Sequence, residues 1–184
     1  MLLLILWGTG LRLGEVLRLR LSDVDLKIGV LTIHDTKFSK TRMVPMDPRL
    51  TSELAKYMNV RRRRYPRGND SRIFPRRDGK PLSHSTVERC FRKLCKTAGV
   101  RRRGGARCQP RLHDLRHSFA TSRLVSWYQQ GLDVQSRLFH LSVYLGHGNI
   151  ESTQVYIAAT PELLREASNR FSDYAEMEVR DDRI

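Results

Sequence analysis

Acidic residues are scarce in this sequence. Against 34 Lys and Arg stand 19 Asp and Glu in 184 residues, a formal net charge of +15. A folded chain this basic repels itself unless an anion lies near, and nucleic-acid phosphate is the commonest such partner. Cysteine is sparse too. Cys90, Cys95 and Cys108 cannot all pair with one another, which argues against a disulfide framework and fits a reducing compartment. A membrane-spanning run is missing: the apolar stretch from Leu2 to Trp7 falls far short of the ~18 residues that cross a bilayer. No basic stretch precedes it, and Gly8, Gly10 and Arg12 follow at once, so it reads as a buried core helix and not a signal peptide. So abrupt a start also suggests that more chain once lay upstream. With 40% hydrophobic and 29% charged residues, neither a disordered nor a membrane class fits, and the length suits one domain with a real core.

What is present divides into helices and one hairpin. The first helix, over residues 2–7, breaks at Gly8-Thr9-Gly10, and a second short one runs through Glu15 and Leu19. Residues 30–36 and 42–46 are β-branched and partly alternating, which predicts a hairpin with a polar turn at Phe38-Ser39-Lys40. Pro48 opens a helix of about fifteen residues with Leu50, Leu54, Tyr57 and Met58 on one face, ending at Arg61-Arg62-Arg63-Arg64. A loop follows around the apolar Ile73-Phe74. Ser83 or Ser85 could cap the next helix, where Val87, Phe91, Leu94 and Cys95 repeat at helical spacing. The last third reads as four helices: roughly 113–128, roughly 134–146 ending at Gly148, a third around Tyr156, and a fourth after Pro161 through about Met177. In that last helix Leu163, Leu164, Ala167, Phe171 and Tyr174 form an apolar stripe suited to docking on its own domain or on a neighbouring copy. The class is α+β, mostly helical with a small antiparallel sheet.

Several residues could carry chemistry, and each has an ordinary reading beside it. The runs Arg61 to Arg64 and Arg101 to Arg103 suit phosphate-backbone attraction, or merely a solvated face. Arg12 follows the Gly-Thr-Gly break in an apolar setting, with Glu15 three residues on, and could be half of a structural ion pair. His113 and Arg116 lie one turn apart at a helix start. His113 and His117 are spaced like a metal pair, but no carboxylate or cysteine stands at an established zinc spacing from them. His147 sits at a helix end, and Tyr156 could be plain filler. There is no Gly-x-Ser-x-Gly elbow, no phosphate-binding Gly-x-x-x-x-Gly-Lys loop and no clustered acidic pair for metal-dependent phosphoryl transfer.

Arginines, histidines, a hairpin lysine and a tyrosine, without a metal site, suit one reaction on a phosphodiester. Guanidinium forks can hold the two non-bridging oxygens as they gain charge in the pentavalent transition state. A tyrosine hydroxyl can attack if its proton is taken, and a lysine or histidine can protonate the leaving sugar oxygen.

In this order, the pieces resemble the catalytic domain of the tyrosine recombinase (phage integrase) family. Its first box resembles Gly8 to Glu15, and its hairpin lysine box resembles Thr36 to Pro45. The His-x-x-Arg box resembles Leu112-His113-Asp114-Leu115-Arg116-His117, continuing through Thr121. The last box resembles Leu145-Gly146-His147 followed by Ser152 to Tyr156. The likeness runs from residue 2 to about 175. It implies a catalytic domain over residues 1–177 with a polar tail over 178–184. The family's N-terminal DNA-clamping domain and the catalytic domain's own first helix would then lie outside these residues.

Carried over, the resemblance implies that Arg12 and Arg116 clamp the scissile phosphate. Lys37 protonates the leaving 5′-oxygen, with Lys40 as the alternative donor. His113 is the acid/base partner, His147 hydrogen-bonds the phosphate, and Tyr156 is the nucleophile. Glu15 matches a position that supports the active site from behind. Lys40, Arg42, Arg61, Arg62, Arg101, Arg102 and Arg103 are expected on the DNA-binding surface. The implied function is site-specific recombination of double-stranded DNA for a mobile element, through a 3′-phosphotyrosine link and without metal or cofactor. A homo-tetramer on paired sites in the bacterial cytoplasm, nucleoid-associated when bound, is the implied setting. A non-catalytic DNA-binding remnant and a type IB topoisomerase-like nickase are the competing readings. The segment between Arg116 and His147 is about two helical turns longer than in compact members, and packing against a partner protomer is one expectation for it.

Overall fold

The computed structural model describes residues 1–34, 41–65, 68, 70–100 and 109–146. Of the described residues, those up to Phe119 belong to one compact unit and those from Ala120 to Gly146 to a second. The class is α+β, as expected.

The first unit begins with α1 (Leu2–Thr9) and α2 (Leu13–Arg18), separated by the glycine break. Each glycine has its own reason. A Cβ at Gly8 would sit 3.0 Å from Leu50 Cδ2, so Gly8 lets α1 approach the helix that carries Leu50. Gly10 caps α1 in the left-handed region at φ 63°, ψ 15°, where a side chain is strained. α1 is less buried than its composition predicts. Ile5 and Leu6 are in the core, whereas Leu4 and Trp7 are exposed. An unbroken apolar run on a helix points in every direction, so part of it meets no core.

A short 3-10 turn, Leu21–Asp23, leads into a three-stranded antiparallel sheet, β1 (Val24–Asp25), β2 (Val30–His34) and β3 (Thr41–Pro45), in that order. Leu31, Ile33 and Val44 point into the core, and the register pairs Leu31 with Val44 and Ile33 with Arg42. Period two therefore places Arg42 on the same inward face as Val44. The expected hairpin is present; its turn lies outside the described residues.

α3 (Pro48–Arg64) starts where Asp47 accepts a hydrogen bond from Arg49 N at 2.8 Å, with Pro48 at the first position. Its buried stripe is Leu50, Leu54, Met58 and Arg61. Ile73 and Phe74, in the loop, are buried as well. α4 (His84–Thr97) is capped by Ser83, whose Oγ accepts from Thr86 N. Val87 is buried and Phe91 and Cys95 half-buried, but Leu94 is exposed, a correction to its expected place on the apolar face. α5 (Leu112–Gln129) begins in this unit and continues into the second.

In the second unit Asp133 caps α6 (Val134–Leu145), accepting from Gln135 N and Ser136 N. Leu138, Leu141 and Leu145 are buried, and the Arg137 guanidinium lies 5.9 Å from the Trp127 ring centroid. α6 is capped by Gly146, two residues before the expected Gly148, because Gly146 takes the left-handed conformation at φ 68°. The tail stripe from Leu163 to Tyr174 falls outside the described residues.

Candidate active site

The turn between α1 and α2 is the anchor. Arg12 is the N-cap of α2, and its backbone N–H donates to Glu15 Oε2 at 2.8 Å. Its Nη1 donates to Glu15 Oε1 at 3.1 Å. The same Arg-x-x-carboxylate cap recurs at Arg20–Asp23 and Arg111–Asp114, each with a backbone N–H to carboxylate distance of 2.8 Å. The ion pair suspected between Arg12 and Glu15 thus exists, as a helix cap and not as a pair along one helix face. The Glu15 side chain is 5% exposed, while that of Arg12 is 42% exposed and reaches solvent.

Arg116 meets this turn from the other side. Its guanidinium Nη1 donates to the carbonyl of Gly10 at 2.8 Å, and the residue is 2% exposed. A helix that ended without Gly10's left-handed turn would aim that carbonyl elsewhere. His113 sits one helical turn before Arg116 on α5, and its ring packs edge-on against His117, with centroids 4.7 Å apart. Partial burial, then His117, Arg116 and Arg111, hold its pKa below the ordinary histidine value, with Asp114 opposing them. These influences favour the neutral ring, which can accept a proton.

Two arginines expected to face DNA do not. Arg61 is 3% exposed, because it continues the buried stripe of α3. Its Nε donates to Ile73 O at 3.3 Å, and its Nη2 donates to Arg72 O at 2.6 Å and Ser71 Oγ at 2.8 Å. It pins the loop to the helix. Arg42 likewise turns inward, with Nη2 2.9 Å from Glu15 Oε2. Arg62 is exposed, as expected. Lys37, Lys40, Arg101, Arg102, Arg103, His147 and Tyr156 lie outside the described residues. Among the described residues no set of three His, Cys, Asp or Glu side chains could hold a metal ion.

Sequence reading missed one surface. Arg89, Arg92, Lys93 and Lys96 are all exposed on α4. Their i, i+3, i+4, i+7 spacing marks one helix face and was legible, but the apolar face of the same helix drew the reading.

Residues 1–181 match the phage integrase family. The chain belongs to that family. Among its curated relatives, the provisionally named integrase/recombinase y4rB of Sinorhizobium fredii is 41% identical over 165 residues, covering 88% of this chain and 52% of y4rB. Tyrosine recombinase XerA of Pyrococcus furiosus is 33% identical over 171 residues, covering 92% of this chain and 53% of XerA. This integrase-family chain thus spans about half the length of the relatives it matches. Of solved structures, a XerA recombinase superimposes with TM-score 0.74 at 30% identity, covering 91% of this chain and 55% of that one. A XerH site-specific recombinase in a post-cleavage complex with its palindromic difH substrate gives TM-score 0.70 at 27% identity, covering 93% and 45%. No helix among the described residues of this integrase-family chain is long and apolar enough to cross a membrane.

Proposed function

We propose that this chain is the catalytic part, over residues 1–177, of a site-specific recombinase of a mobile element. It cuts and rejoins double-stranded DNA through a covalent 3′-phosphotyrosine. The observation that carries the reading is the junction at Gly10, where Arg116 is tied to the turn that presents Arg12, with His113 one helical turn away. Family membership and the excess of positive charge support it.

In this reading the Tyr156 oxygen attacks phosphorus in line with the bond to the 5′-oxygen. His113 takes the phenolic proton. Arg12 donates to the non-bridging oxygens from the surface, and Arg116, buried with Nη1 on Gly10, offers its remaining N–H groups from beneath, supplying charge stabilisation that grows as the pentavalent state forms. His147 adds a hydrogen bond, and Lys37 gives its proton to the departing 5′-oxygen. The P–O bond to that oxygen breaks as the P–O bond to Tyr156 forms. Attack by a 5′-hydroxyl from another strand reverses every transfer and releases the tyrosine. Arg62, the arginines at 101–103 and the exposed stripe on α4 track the phosphate backbone. Four copies on paired sites would exchange strands, in the cytoplasm and at the nucleoid.

The test is a pool of nicked suicide duplexes with randomised flanks, incubated with the chain in a chelator. A covalent protein–DNA band that Tyr156→Phe abolishes is the expected result. A band retained in the Phe variant removes Tyr156 as nucleophile, and binding without any band in the parent favours a DNA-binding remnant.

A further inference from the structure

A buried carboxylate beside a phosphate-binding guanidinium raises an electrostatic difficulty. Glu15 holds Arg12 by both its backbone N–H and its side chain, which fixes the direction of the guanidinium. Its negative charge, 3.1 Å from Arg12 Nη1, would also cancel much of the field that Arg12 offers to a phosphate. The structure contains a remedy. Arg42 reaches the same carboxylate from the sheet, 2.9 Å from Oε2, with its side chain 13% exposed. The three-group cluster Arg12–Glu15–Arg42 therefore carries one net positive charge, and only Arg12 extends well into solvent.

We infer that Arg42 is a positioning residue for Arg12, acting through Glu15. This rests on the reading of Arg12 as a ligand of the scissile phosphate. Arg42 is suited to the task by its backbone. It lies opposite Ile33 in the β2–β3 ladder, on the inward face, so the sheet fixes where its guanidinium can go. Glu15 is then gripped from two sides, by the N-terminus of α2 and by β3, and cannot swing away from Arg12. Neutralising Glu15 from the sheet side leaves the Arg12 charge available to the substrate. Breaking a buried ion pair on one side leaves the other charge uncompensated, and the remaining partner must absorb it. Without Arg42, that partner is Arg12. β3 also follows directly on the hairpin segment that contains Lys37, so one strand steadies the phosphate ligand and leads to the proposed acid.

The test uses the full chain with Arg42→Gln, Arg42→Lys, Glu15→Gln and the double variant Glu15→Gln/Arg42→Gln. Folding is followed by circular dichroism, DNA affinity at several salt concentrations, and single-turnover adduct formation on the suicide-duplex pool. Arg42→Gln is expected to lower affinity and salt slope by no more than one lost phosphate contact, that of Arg12, and to form adduct more slowly, on the order of 10- to 100-fold, as for a displaced positioning contact. Arg42→Lys should recover most of that rate, since it restores the charge. In the Glu15→Gln background, Arg42→Gln should cost little more, because the intermediary is already gone. Should Arg42→Gln fail to fold, Arg42→Lys and its combination with Glu15→Gln carry the comparison. A loss of affinity and salt slope that persists when Arg42→Gln is made in the Glu15→Gln background would instead make Arg42 a phosphate contact. Unchanged adduct rates, or losses that simply add, would also overturn the inference. If the parent forms no adduct, the proposed function fails separately. The Arg12 Nη resonances of the DNA-free chain at low temperature then decide: held apart in the parent by the Nη1–Glu15 bond, averaged in Arg42→Gln. Unaltered resonances would refute the positioning role.

Discussion

Arg116 Nη1 donates to the carbonyl of Gly10 at 2.8 Å, joining residues 106 positions apart in the chain. The bond exists because Gly10 ends α1 in the left-handed conformation and Arg116 is buried where α5 begins. A buried carbonyl and a buried guanidinium each need a partner, and here each supplies the other's.

This junction can be broken from either end. Gly10→Ala forces a Cβ into the left-handed region and should cost about 1–2 kcal/mol of stability. Arg116→Ala leaves the Gly10 carbonyl without that donor and should cost about 1–3 kcal/mol. The two losses, read by urea denaturation, should be less than additive in the double variant, since one contact underlies both. Strict additivity would show that the bond contributes nothing.

The two neighbouring arginines of α3 should separate cleanly. Arg61→Met removes donors from three groups around the 71–73 loop and should destabilise the fold by on the order of 3 kcal/mol, leaving the salt dependence of DNA binding unchanged. Arg62→Met, at an exposed site, should leave stability within about 0.5 kcal/mol. If it contacts a phosphate, it should lower the salt slope by roughly 0.9. The paired substitution Arg89→Gln/Arg92→Gln on α4 should lower that slope further. Titrations between low and moderate salt, with melts of each variant, check all three.

His113 sets a pH limit. Its folded-state pKa is depressed, chiefly by partial burial. The neutral, proton-accepting form therefore persists below the pH at which an exposed histidine charges. Adduct formation should be flat through neutrality and fall only on the acid side of the ordinary histidine value. Stability has the same sign: the unfolded chain binds this proton first, so the contribution of His113 is full above the unfolded pKa and is lost as pH falls through the folded one. His113→Gln should flatten that part of the stability–pH curve and abolish rapid adduct formation. An acid limb of activity starting above the ordinary histidine value would contradict the assignment.

Lys37 and Arg12 have different proposed tasks, and sulfur chemistry tells them apart. Lys37→Ala and Arg12→Ala should both cripple cleavage of ordinary DNA by at least 100-fold, roughly the lower bound for a lost proton donor. With sulfur at the bridging 5′ position the leaving group needs no proton, so Lys37→Ala should recover substantially and Arg12→Ala hardly at all. Recovery of Lys40→Ala instead would move the acid three residues along the hairpin. Failure of both lysine variants on the sulfur substrate would turn attention to His113.

The order and type of most of the described elements were legible in the residues themselves; the 3-10 turn Leu21–Asp23 and the two-residue β1 were not, because so short a strand is defined only by its pairing with β2. Pro48 after Asp47, the left-handed glycines and the 3.6-residue apolar spacing are local signals, and a helix start or stop is a local event. The alternation around Leu31, Ile33 and Val44 marked the hairpin for the same reason. The family boxes were legible because chemistry demands particular side chains at particular separations. What a charged side chain does once the chain folds was decided only by the tertiary structure. Arg61 and Arg62 are adjacent in one basic run, yet one is buried under a loop and the other meets solvent, since a helix turns by about 100° per residue and the core lies on one side. Arg42 became the partner of Glu15 because strand pairing carried it inward, 27 positions from that carboxylate in the sequence. Charge and spacing can be read along the chain, but which face of each element is covered depends on residues far away in it.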